Sequence, residues 1–232
     1  VFLFSGYNTI KALLHKIWED WMRGSVLGFG ALAAVFVSAA PAEAAWQYYA
    51  CPSDNFASQF PDSPKREMGR FSMPRHGLAL STHVYTATVD NIVYKMLVAD
   101  YSDRAGDGAS IVEEAIFQHT EADDHGLQNG KILGNTTTRI EPVGRGATYG
   151  RSITMDLPNK SGRSQTNFYF RDGKLYEQSV TILPANGDYA TPYASRFVES
   201  LIFNVPRVEE EAGMNVPNIQ GCGDKIQPFN YK

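Results

Sequence analysis

The sequence predicts an α+β domain, a mainly antiparallel sheet of about seven to eight strands with two helices packed on it. Three observations carry this. Short runs rich in Val, Ile, Thr, Tyr and Phe recur between residues 56 and 183, divided by tight turn signals, as in strands joined by hairpins. Two segments, beginning at Ser110 and Thr191, instead repeat their apolar residues at helical spacing. Aromatic residues make up 12% of the chain, which suits a packed sheet and not a disordered polymer.

In chain order, FASQF (56–60) and EMGRFSM (67–73) are strand candidates separated by PDSPK, where two prolines and an Asp make a turn. LALSTHVYTATV (78–89) and IVYKMLVADY (92–101) flank Asp90-Asn91 and read as a hairpin. In the second of these, Val93, Lys95, Leu97 and Ala99 share one face and Ile92, Tyr94, Met96 and Val98 the other. Both faces are largely apolar, so this strand is expected to be central and covered on each side. Ser110 and Glu113 form a capping box for a helix whose buried stripe is Ile111, Val112, Ala115, Ile116 and His119. Charges take over at Glu121, Asp123 and Asp124, and Gly126 closes the helix. KILGNTTTRIE (131–141), ATYGRSITMDL (147–157) and SQTNFYFR (164–171) form a meander, and Asp172-Gly173 leads as a type I′ turn into KLYEQSVTIL (174–183). The last helix is capped at Thr191, with Pro192 in its first turn and Tyr193, Phe197, Val198 and Leu201 as its stripe. The domain therefore covers residues 46–203. Residues 204–232 show no periodicity and read as an extended tail.

The N-terminal region points to export. Met22-Arg23 precedes an uncharged run, SVLGFGALAAVFVSAA, which ends at the small-residue site Ala42-Glu43-Ala44. That is the layout of a signal peptide over residues 22–44, cleaved near Ala44. Its apolar run of about 16 residues falls short of the ~20 that span a bilayer, so retention as an anchor is the lesser reading. Residues 1–21 read as a mis-called or non-structural extension, with Met22 the natural start. The expected location is periplasmic or secreted. Two cysteines lie beyond the cut, Cys51 and Cys222, and an oxidising compartment favours their pairing as one disulfide. The rival, a lipidated Cys51, is disfavoured because Tyr48 and Tyr49 stand where a lipobox needs a Leu-like and a small residue.

The segments FASQFPDSPKRE, IVYKMLVADYSD, GATYGRSITM, FYFRDGKLYEQSV and ASRFVESLIF, taken in this order over residues 56–203, resemble small exported bacterial domains related to the photosystem II extrinsic protein PsbP. The most specific piece is the pairing of KLYEQSV with SRFVESLIF. Two features depart from the pattern: Ser152 follows Arg151 where the family has Glu, and the tail with Cys222 is extra. The resemblance implies a PsbP-like α+β fold. The family is not defined by a catalytic residue, so it implies no site residues.

Chemistry is sparse. The segment His119–His125, with Glu121, Asp123 and Asp124, holds donors suited to zinc or a harder cation. His119 and His125 are six apart, however, about 240° around an ideal helix, and so face different ways. A solvated helix end, with His119 at its boundary, is the plainer reading. GRGATYG (144–150) has a glycine spacing one residue too long for a dinucleotide loop and leads into a strand, where no helix N-terminus could meet a phosphate. Asp100, Asp103 and Asp107 lack the alternation of a calcium loop. His76 and His83 could meet an acid only through the fold. The sequence has no G-x-S-x-G elbow, H-E-x-x-H or P-loop.

The net charge of -4, without a basic stripe, argues against nucleic acid. The expectation is a non-enzymatic module without a cofactor that binds a protein partner or small ligand in the cell envelope and meets membrane only if its N-terminal segment is retained. The alternatives are an exported hydrolytic or metal-dependent enzyme using His119–His125, or an envelope-anchored structural protein. For a protein-binding module the candidate interaction face is Asn167, Tyr169 and Arg171, since a helix can cover only part of so wide a sheet. One face of the meander should then keep exposed aromatic surface, unless helices and tail bury both.

Overall fold

A computed structural model describes residues 46–73, 78–102, 107–121, 130–141, 146–184, 189–203 and 216–222. Ten strands and two helices follow in the order β1 (Gln47–Cys51), β2 (Phe56–Phe60), β3 (Lys65–Met73), β4 (Leu78–Val89), β5 (Ile92–Asp100), α1 (Gly108–Glu121), β6 (Lys131–Ile140), β7 (Thr148–Asp156), β8 (Arg163–Arg171), β9 (Lys174–Ile182), α2 (Pro192–Val198) and β10 (Ile202–Phe203). The fold is α+β and antiparallel throughout its named strand pairs, as the sequence predicts.

Seven strands form one sheet in the order β3-β4-β5-β9-β8-β7-β6, and a second sheet of three strands has the order β1-β2-β10. The second sheet is a departure from the single sheet expected. Pro61 and Pro64 lack the N–H groups a ladder needs, so PDSPK does not fold β3 back on β2; it carries the chain from one sheet to the other. The turns within the large sheet behave as read. Asp90 and Asn91 both take positive φ (51° and 60°), as do Asp172 and Gly173 (49° and 76°), the left-handed pair that a type I′ hairpin requires.

The two faces of the large sheet are covered unequally. One face, with Tyr85, Tyr94, Met96, Tyr176 and Val180, packs against α2 and against Tyr49, Phe56, Phe60 and Phe203 of the small sheet. The other face, with Leu97, Ala99, Phe168 and Leu175, packs against Ile111, Val112, Ala115 and Ile116 of α1. Among the described residues α1 is the one helix on that face. Its 14 residues extend about 21 Å, whereas seven strands span nearly 30 Å. Part of the face therefore lies beyond the helix.

The start of α1 differs from the expected capping box. The helix begins two residues before Ser110, and Asp107 caps it: its carboxylate accepts from the Ala109 N–H (3.2 Å) and from the Ser110 hydroxyl (3.1 Å). Glu113, released from a capping role, accepts from Arg151 of β7 at 2.9 Å. Helix α2 is capped by Thr191 as expected, and Ala194, Phe197 and Val198 are buried. Tyr193, expected in the stripe, instead stacks on Trp46 near the surface (5.9 Å between ring centres).

Cys51 and Cys222 are joined, with Cα atoms 5.1 Å apart, within the usual span of a disulfide. The tail is held by more than this bond. Ala50 N–H donates to Pro217 C=O (3.0 Å), and Ile219 N–H returns to Ala50 C=O (2.8 Å), so residues 217–219 run strand-like beside β1. The signal segment and residues 1–21 lie outside the described residues. Among the described residues no helix is long and apolar enough to cross a membrane.

Candidate functional site

Register sets the chemistry of the α1-covered face. Leu97 pairs with Glu177, Lys95 with Ser179 and Val93 with Thr181. On the far side of β9, Glu177 pairs with Phe168, Ser179 with Thr166 and Thr181 with Ser164. Paired residues share a face, so this face passes from Leu, Ala and Phe beneath α1 to Lys, Glu, Ser and Thr where the helix ends. The last turn of α1, carrying Gln118 and His119, arrives over that boundary.

A cavity of about 200 Å³ occupies the step. Val93, Lys95 and Thr181 are half-exposed and form its mouth. Phe71 and Ala115 supply apolar wall, and Gln118, His119, Ser164 and Glu177 supply buried polar groups. The Glu177 side chain is only 6% exposed, with Lys95 Nζ 3.1 Å and His119 Nδ1 3.7 Å from its Oε1. His119 Nε2 lies 3.1 Å from the Thr166 hydroxyl, and the imidazole meets the Phe168 ring edge-on at 5.4 Å. Ser164 Oγ is buried and makes no hydrogen bond among the described residues. A buried hydroxyl without a partner normally costs on the order of 1–3 kcal/mol. The site thus offers a carboxylate, an ammonium, an imidazole and an unsatisfied hydroxyl in one small recess.

His119 is accordingly a buried residue of the helix–sheet interface, in keeping with its place in the buried stripe, and not merely a boundary residue. Its ring turns toward Glu177 and Thr166. Residues Asp123, Asp124 and His125 of the metal reading lie outside the described residues. Among the described residues no three His, Cys, Asp or Glu side chains lie close enough together to hold a metal ion.

The expected interaction face is placed in the core. Tyr169 is 1% exposed and Asn167 4%. Asn167 Nδ2 donates to Val198 C=O (3.0 Å) and Gln178 Nε2 to Phe197 C=O (2.6 Å), which also accepts from the Ser200 N–H (3.0 Å), so both amides are used up on carbonyls at the end of α2. Arg171 lies over the Phe203 ring at 5.3 Å and donates to the Thr148 hydroxyl. The other face of the meander, with Thr166 and Phe168, is buried beneath α1. Beyond α1 the sheet is polar around Lys95 and Thr181, but at β7 it keeps a large aromatic side chain exposed, Tyr149 (64%), so the expected exposed aromatic surface is present at a different residue.

A second polar cluster lies beside the disulfide. Asp54 ends a single 3-10 turn (Pro52–Asp54), and its carboxylate meets His83 Nδ1 at 2.7 Å and accepts from the Tyr85 hydroxyl. Lys174 Nζ lies 3.7 Å away and donates to Ser53 C=O (2.9 Å). Tyr176 donates to Asp54 C=O (2.9 Å), and Arg66 lies against the His83 ring and donates to Gly221 C=O. His83 does meet an acid, then; His76 lies outside the described residues. Burial, followed by the Asp54 charge, pushes the hydroxyls of Tyr85 and Tyr176 far above the usual tyrosine range, so both remain donors. Most of these polar groups hold the 3-10 turn, the disulfide and the tail together, although Arg66 Nε is buried without a hydrogen-bond partner among the described residues.

Among these residues the sequence reading missed Glu177, Ser164 and the role of Lys95. A signal existed for Lys95: a charged side chain on the face of a strand expected to be covered on both sides requires a buried partner. The identity of that partner depends on the β5–β9 pairing, which crosses 74 residues of sequence from Asp100 to Lys174 and which no local pattern fixes.

Comparison with solved structures finds similarity to cyanobacterial PsbP (CyanoP) from Synechocystis sp. PCC 6803, determined in solution. The match is 12% identical, with a TM-score of 0.44, over 78% of this chain and 99% of that one. No family model and no curated protein matches the chain.

Proposed function

We propose that this chain is an exported, non-enzymatic binding module that receives a small polar ligand in the recess between the end of α1 and the sheet. One observation carries the reading: Lys95, His119, Glu177 and the unsatisfied Ser164 converge on one cavity at an otherwise packed helix–sheet interface. Convergent polar groups in a partly apolar recess are the usual mark of a ligand site. A cavity of about 200 Å³ is below the ~300–1,000 Å³ of pockets for drug-sized molecules, which points to a compact solute. Export is supported by the signal-like segment before Ala45 and by the joined cysteines, which suit an oxidising compartment.

The test is native mass spectrometry of protein purified from the exported fraction of its host, compared with Thr181→Trp, which fills the mouth. A low-mass adduct carried by the natural protein and lost in the variant is the expected result. An adduct that persists in the folded variant places binding elsewhere, and protein free of adducts in both samples removes the recess as a ligand site.

A further inference from the structure

The charge balance of the recess selects among solutes. Resting on the ligand-binding reading above, the geometry points to a neutral polyhydroxylated ligand, a single sugar ring or a cyclic polyol, as the occupant. Each charged class meets an opposing group. An anion that approaches Lys95 also approaches the Glu177 carboxylate, 3.1 Å from that ammonium. A cation drawn to Glu177 meets Lys95 at the same distance, and one carboxylate with one imidazole is a thin donor set for a metal ion. A zwitterion must bring two full charges of its own out of water into a recess whose charges are already paired, and that desolvation is costly.

A neutral polyol carries no such cost. Neighbouring hydroxyls on a ring can donate to the Glu177 carboxylate and accept from the Lys95 ammonium while the two stay paired, since each hydroxyl both gives and takes a hydrogen bond. The rest of the lining follows the same logic. Ser164, Ser179 and Thr181 offer hydroxyls with that double capacity, and Ser164 Oγ lacks a partner that a ligand hydroxyl would provide. Phe71 and Val93 offer apolar surface to the C–H face of a ring. Mixed apolar wall and hydroxyl-rich polar edge suit a molecule with one hydrophobic face and a polar rim.

The experiment titrates isotopically labelled protein with D-glucose, D-galactose, D-mannose and myo-inositol, and separately with glycine, glutamine and inorganic phosphate. Amide chemical shifts are followed up to about 50 mM, far above a ~1 mM dissociation constant. Saturable shifts at Lys95, Gln118, Ser164 and Ser179 with at least one polyol are expected, with at least a fivefold loss of affinity in Ser164→Ala. That variant removes an oxygen without a hydrogen bond among the described residues, so its melting temperature should stay that of the parent. Saturation at these residues by a zwitterion or phosphate but no polyol overturns the polyol assignment and leaves the ligand-site reading intact. Polyol binding indifferent to Ser164→Ala and Glu177→Gln, in variants that still fold, also overturns it. No saturable shift with any polyol does so as well, while the adduct measurement above decides the recess independently.

Discussion

At the scale of single residues, the Lys95–Glu177 pair gives the sharpest test of whether the recess serves stability or binding. Glu177 is buried among apolar neighbours on a sheet face, a position where carbon would pack as well. Removing one partner leaves a charge in a poor environment, and breaking a buried pair costs up to about 3–5 kcal/mol. Because Lys95 is about one-third exposed, Lys95→Met should cost less, about 1–3 kcal/mol in urea unfolding. The double variant Lys95→Met with Glu177→Leu should recover most of that loss, because replacing both charges by carbon of similar volume is often neutral. A double variant as unstable as the sum of its singles would mean that the two side chains are not coupled and that each acts through its other contacts. The tyrosines offer a pH test. Burial raises Tyr85, Tyr94 and Tyr176 well above the usual value of about 10. A raised native pKa means that the folded state favours the protonated hydroxyl, so this contribution is intact below pH ~10 and is lost as pH rises through the native values, while the unfolded chain ionises. Stability should therefore fall above pH ~10, with tyrosinate absorbance from these three appearing only together with unfolding. Their titration in the folded protein near pH 10 would refute the burial argument.

At the scale of elements, the caps and turns behave as separate, testable units. Asp107→Ala should lower stability by about 1 kcal/mol, the usual cost of losing an N-cap, whereas Ser110→Ala should cost less because its hydroxyl only reaches back to Asp107. Equal losses would restore the capping box at Ser110. Gly173 sits at φ 76°, where a Cβ would also approach Ser102 to 3.2 Å, so Gly173→Ala should cost more than the ~1 kcal/mol of a simple backbone effect. Elements of this kind were legible in sequence because their signals are local: Asp90-Asn91 and Asp172-Gly173 fix hairpins, and Ile111, Val112, Ala115 and Ile116 fix the buried face of α1. What stayed hidden was non-local. The second sheet pairs β2 with β1 just upstream and closes with β10, 142 residues from the Phe60 end of β2 and only two residues long. Alternation correctly put Asn167 and Tyr169 on one face, but exposure depends on what covers it. There α2 and the small sheet arrive, and Asn167 serves the last carbonyls of the helix. Nothing within KLYEQSV marks Glu177, which is buried in the lining of the recess.

For the whole molecule, the disulfide and the small sheet close the N- and C-terminal parts of the domain against the large sheet. The bond joins residues 171 apart, so the chain-entropy limit is about 5 kcal/mol. Cys51→Ser with Cys222→Ser should lower the melting temperature, yet leave a folded protein, because Ala50 keeps its backbone bonds to the tail. A variant that no longer folds would show that the bond, and not the sheet, organises this end. Export makes its own prediction: intact mass of protein from the exported fraction should correspond to a chain beginning at or within a few residues of Ala45, and a mass that retains residues 22–44 would favour an anchored form. The recess is the proposed place where this fold meets a ligand. Its most direct test is amide-resolved chemical-shift mapping of labelled protein against the small-molecule extract of the compartment in which it resides. Shifts centred on Lys95, Gln118, Ser164 and Ser179, absent in Thr181→Trp, are predicted. Shifts centred on the Asp54–His83 cluster or on the outer strands, with the recess unmoved, would contradict it.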